Sequence, residues 1–109
     1  IGDDLRPGVE VDGVRWIRFA IRARSDREYP PAKPVPVNVE VDLLNRSENA
    51  DVLIIVLFED ENGTALDRLE LGSIDAKQDR LREEVQKHKI TAAVIEATRN
   101  VYLFLEVSR

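Results

Sequence analysis

Apolar residues fall at every second position along several stretches of this chain, the period expected of strands that turn one face inward. From Val14 to Ala23, Ile17, Phe19, Ile21 and Ala23 alternate with Arg18, Ala20, Arg22 and Arg24. Val35, Val37, Val39, Val41 and Leu43 alternate with Asn38, Glu40 and Asp42, the cleanest strand pattern in the sequence. Pro34 and Pro36 stand at its start, where a missing ladder hydrogen bond is tolerated. Val101, Leu103, Leu105 and Val107 alternate with Tyr102, Phe104 and Glu106 as a last strand. Val52 to Phe58, VLIIVLF, is apolar on both faces and rich in β-branched residues, which predicts a central strand covered on both sides. A further strand, Ala65 to Leu71, follows EDENGT, whose Asn62-Gly63 pair suits a tight hairpin with positive φ at both central residues.

Between these stretches the chain is punctuated. Residues 1 to 13 carry Gly2, Pro7, Gly8 and Gly13 with little periodicity and read as a lead-in or linker remnant, with at most an irregular strand around Val9 and Val11. SDREYPPAKPVP reads as a stiff crossing loop, and NRSENAD as a polar break. From Asp75 to His88 the spacing of Ile74, Leu81, Val85 and His88 among good helix formers predicts a helix capped by Asp75. Beyond it, β-branched Ile90, Thr91, Val94 and Ile95 leave two continuations: helix to about Thr98, or a strand beginning near Lys89.

Five or more strands in 109 residues imply one mainly β domain, an immunoglobulin-like antiparallel β-sandwich with one helix near 75–88. The alternative is an α+β arrangement in which that helix covers an antiparallel sheet. The choice bears on Val52 to Phe58. In a plain sandwich its outward residues Leu53, Ile55 and Leu57 meet water and need a cover, either the helix or a partner chain.

Composition narrows the function classes. Hydrophobic residues are 43% and charged residues 34% of the chain, a globular balance. The longest apolar run, Val52 to Phe58, is far short of the roughly 20 residues that span a membrane as a helix. The net charge of -5 argues against general nucleic-acid binding, although Arg15, Arg18, Arg22, Arg24 and Arg27 make one stretch locally basic. The chain has no cysteine, which excludes disulfides, thiolate zinc sites and cysteine nucleophiles without assigning a compartment. It begins at Ile1 and has no methionine, so a processed product or a piece of a larger protein is expected.

The stretch VPVNVEVDLLNRSENADVLIIVLFEDENGTAL resembles bacterial immunoglobulin-like accessory domains of the CARDB and FxLYD kind. In those domains an alternating strand runs into an Asn-rich turn, an apolar strand and an acidic glycine hairpin. The resemblance covers about a third of the chain. It implies a β-sandwich serving as an extracytoplasmic adhesion, spacer or assembly module.

Candidate chemistry is sparse. His88 is the single histidine, so no multi-histidine metal site can form, and it reads as a half-exposed helix residue. Ser25, Asp26 and Ser73 lack a nucleophile signature, and neither GxGxxG nor GxxxxGK occurs. Glu59, Asp60, Glu61 and Asn62 offer oxygens but not the spacing of a calcium loop. Pro31 to Pro34 fits PxxP, and Asn45-Arg-Ser47 and Asn62-Gly-Thr64 fit the glycosylation sequon, all three in turns. No catalytic residue, cofactor or metal is therefore assigned.

Two surfaces remain. Leu53, Ile55 and Leu57 form a face for a protein partner or for self-association. Trp16, Arg18, Arg22 and Arg24 fall on one face of a regular strand, where an aromatic and three guanidinium groups could hold an anion or an anionic glycan. Against that second surface, Glu40 and Asp42 on the next strand would pair with these arginines across the sheet. The function expected is a non-enzymatic structural or interaction module, with anion or glycan binding as the alternative.

Overall fold

A computed structural model describes residues 2–24 and 27–109. Seven strands and one short helix run in the order β1 (Glu10–Val11), β2 (Val14–Ala23), β3 (Pro34–Asn45), β4 (Ala50–Glu59), β5 (Ala65–Ala76), β6 (Arg80–Thr91), α1 (Ala92–Ala97) and β7 (Asn100–Ser108). They make two antiparallel sheets, β1-β2-β3-β6 and β5-β4-β7, packed as a β-sandwich. The chain crosses between the sheets after β3, after β5 and, through α1, after β6.

The alternating patterns become the inner faces. Val37, Val39, Val41 and Leu43 of β3 and Val52, Ile54, Val56 and Phe58 of β4 are all buried and meet in one core. Asn45, at the end of β3, is the one buried polar residue among those described, and its amide is fully used. Its Nδ2 donates to the carbonyls of Glu48 (2.7 Å) and Ala76 (2.9 Å), while its Oδ1 accepts from the Ser47 amide at 2.9 Å. One side chain thus ties the β3–β4 turn to the end of β5.

The β4–β5 hairpin forms at the predicted place with a different turn. Only Gly63 has positive φ (80°), and its amide donates to the Asp60 carbonyl while Asp60 Oδ1 accepts from the amides of Asn62 and Thr64. This is a longer hairpin loop with glycine in the left-handed position, so Asn62 carries no strain.

The helix predicted over 75–88 is absent. Asp75 belongs to β5, and 80–91 is a strand paired with β3 from Leu81↔Leu44 to Thr91↔Pro34. The register explains the misreading. Arg82, Glu84, Gln86 and His88 stand opposite Leu43, Val41, Val39 and Val37, so the inward side of this strand is mostly polar and only Ile90 is buried. Leu81 and Val85 point to solvent, and Leu81, Val85 and His88 only imitate a helical spacing. The helix that does form, 92–97, plugs one end of the sandwich. Lys33 and Pro31 carbonyls accept the first two helical amides, and Ala92, Val94 and Ile95 pack against the core.

The first residues are not a free linker. The Gly2 amide bonds to the Ile21 carbonyl, Leu5 and Phe19 exchange backbone hydrogen bonds, and Gly8 and Val9 bond to Trp16. Residues 2–11 therefore lie along the outer edge of β2 and cover it.

Candidate interaction surface

β4 is the central strand of its sheet, flanked by β5 and β7. Strand alternation buries Val52, Ile54, Val56 and Phe58, and turns Leu53, Ile55 and Leu57 to the outside, where all three remain half-buried. On β7 the residues directly across from Ile55 and Leu57 are Phe104 and Tyr102, 50% and 46% exposed. On β5 the neighbours are Glu70 and Arg68. A shallow hollow of about 320 Å³ is lined by Ile55, Leu57, Phe104, Arg68 and Glu106. The outcome is an apolar strip with a charged rim. The helix does not supply the cover, since α1 sits at the end of the sandwich against β6 and the β2–β3 loop.

The sequence pattern missed Tyr102 and Phe104 as members of this face, because they alternate with the apolar set of β7 and read as its polar side. The available signal was their parity: two aromatic residues on the outward positions of a strand that abuts β4.

The arginine surface comes out differently. The register between β2 and β3 shifts between Trp16 and Arg18, a β-bulge that absorbs Ile17. Trp16 consequently points inward at 0% exposure, its ring edge-on to Phe19 with centroids 5.3 Å apart, while Arg18 and Arg22 point outward. Trp16 and the arginines do not share a face. Arg24 lies beyond the end of β2 and is exposed.

Arg18 and Arg22 are occupied by carboxylates. Arg18 Nη2 donates to Glu40 Oε1 at 2.6 Å and to Asp4 at 3.2 Å, and its other terminal nitrogen lies 3.9 Å from Asp42. Arg22 Nε donates to Glu40 Oε2 at 3.1 Å, and its Nη2 bonds to Asp4. The hydrogen bond that Arg18 donates to Glu40 raises the Arg18 pKa above its ordinary value; desolvation opposes this, and the charges of Asp4, Glu40 and Asp42 reinforce it. Cross-strand pairing with Glu40 and Asp42 was legible in the sequence. Asp4 was not, because nothing in residues 1 to 13 signalled that they would return along β2.

The minor candidates resolve locally. His88 Nε2 lies 3.1 Å from Gln86 Oε1 within the polar row of β6. Among the described residues no group of three or more His, Asp or Glu side chains is placed to hold a metal ion, and Asp60 Oδ1 is engaged by its own turn. Lys33 donates to the Pro30 carbonyl, so the PxxP stretch opens with a turn rather than a polyproline helix. Asn45 is buried with its amide nitrogen in two hydrogen bonds, which closes that sequon in the folded chain, whereas Asn62 is exposed at the hairpin tip. Ser25 and Asp26 lie outside the described residues.

In comparison with known proteins, no family model matches this chain and no curated protein matches it in sequence.

Proposed function

We propose that this domain is a structural and protein-interaction module of a larger protein, acting by contact rather than by catalysis, through the outer face of β4. The observation that carries this reading is the uncovered strip of Leu53, Ile55 and Leu57 continued by Tyr102 and Phe104. A strand apolar on both faces normally belongs inside a protein, and contiguous apolar surface with a charged rim is characteristic of contact sites. Covering each half-exposed Leu, Ile or Phe returns about 1 kcal/mol. The resemblance of the β3–β5 stretch to bacterial immunoglobulin-like accessory domains supports the same class of role and an extracytoplasmic place for it. The anion-binding alternative has less support, because Arg18 and Arg22 are engaged by Asp4, Glu40 and Asp42 and Trp16 is on the other side of the sheet.

The test is the solution mass of the chain and of Ile55→Lys over a concentration series. Association that weakens in Ile55→Lys, with the circular dichroism spectrum of the folded chain retained, supports the reading. Superimposable masses for the two proteins count against it.

A further inference from the structure

The four sheet edges of this sandwich are treated unequally. An edge strand offers a row of unpaired amide and carbonyl groups to any passing strand, and proteins blunt such edges with a covering segment, inward charges or bulges. Residues 2–11 cover β2. β6 turns Arg82, Glu84 and His88 toward the interior side. β5 is interrupted by register shifts against β4 and carries Asp67, Arg68, Glu70 and Asp75.

β7 has fewer of these devices: only β1, from the other sheet, comes near it. Its register with β4 is unbroken from Asn100 to Ser108, and it holds no proline, no glycine and one charge, Glu106. Three of its four inward residues stay partly open, Val101 at 37% exposure and Leu103 and Val107 half-buried, while Leu105 is buried. Beside Val101 a cleft of about 290 Å³ reaches down to Phe58, Phe19 and Leu5. Among the described residues this is the least protected edge, and near Val101 the core is partly open beneath it.

We infer that the free edge of β7 pairs antiparallel with β7 of a second copy of this chain, joining the two three-stranded sheets into one of six strands. The strand's own sequence suits this occupant. With the two-fold axis at Phe104, the middle of the strand, Val101 meets Val107, Leu103 meets Leu105, and Tyr102 meets Glu106 of the other copy. Apolar side chains face apolar ones on the inward side. The single acidic residue of each strand is set against a tyrosine and never against its own copy, so the charge pattern fits self-pairing. Because each copy carries a net charge of -5, added salt should strengthen the pairing by screening.

The absence of cysteine makes the register directly testable. Across the two-fold axis the two Phe104 Cα atoms would lie about 4.5–5.5 Å apart, within disulfide reach. Two Tyr102 residues would be offset along the strand by about 13 Å, beyond that reach. On mild oxidation Phe104→Cys is expected to convert mostly to covalent dimer while Tyr102→Cys remains monomeric. In the unsubstituted chain, amide exchange along β7 should slow as concentration rises, and should do so equally in Ile55→Lys. Cross-linking of Phe104→Cys no better than that of Tyr102→Cys, with β7 exchange independent of concentration, would overturn the inference. Cross-linking through Ile55→Cys without Phe104→Cys would overturn it too, while leaving the β4 face standing as a contact surface.

Discussion

Trp16 and Arg18 are two residues apart and lie on opposite faces of β2, joined by a hydrogen bond of 3.0 Å from Trp16 Nε1 to the Arg18 carbonyl. That bond spans the bulge and satisfies the one polar group of a ring that is otherwise packed in the core. Trp16→Ala is expected to cost about 3–5 kcal/mol. Trp16→Phe keeps most of the apolar contact but loses the bond that holds the bulge, and should cost roughly 1–2 kcal/mol. Denaturant midpoints of the two variants check both figures. A Trp16→Ala protein as stable as the parent would show that the ring is not where the bulge puts it.

On the other face, Arg18 and Glu40 are about one-fifth exposed and share their charges with Asp4, Asp42 and Arg22. Partial solvation limits the value of such pairs. A double-mutant cycle with Arg18→Ala and Glu40→Gln should give a small favourable coupling that falls in high salt. The Arg18 pKa is raised in the folded state, so its contribution is complete below the ordinary arginine range and is lost only as pH climbs through the raised value. Arg18 itself therefore adds no pH dependence between acid and neutral conditions.

These two residues also show where the sequence was legible. The strands β3, β4 and β7 announce themselves because their inward positions are almost all apolar. β2 has the same composition, but one inserted residue, Ile17, moves Trp16 to the other face, and a period-two reading carries no sign of a bulge. β6 fails for the opposite reason. It is a protected edge strand, so its inward positions are polar and its two exposed apolar residues fall four apart, as on a helix. The cover over β2 was invisible because residues 2–11 bond through their backbone, which leaves no pattern in side chains.

Asn45 joins three chain segments through one amide. In Asn45→Ala the carbonyls of Glu48 and Ala76 and the amide of Ser47 lose that partner in a buried place, and the expected loss is about 2–4 kcal/mol. Asn45→Asp should be at least as damaging, since a carboxylate cannot donate to the two carbonyls. Thermal unfolding monitored by circular dichroism measures either change. Stability within about 0.5 kcal/mol of the parent, the range of an ordinary surface substitution, would contradict the assigned role.

The outer face of β4 carries the functional account, and the solution mass of the chain against that of Ile55→Lys tests it most directly. Ile55 is half-buried on that face, so lysine there should leave folding intact and put a charge in the middle of the apolar strip. The parent chain is expected to associate as concentration rises, and Ile55→Lys to lose the step made through this face while keeping its folded circular dichroism spectrum. Equal masses for the two proteins at every concentration would contradict it.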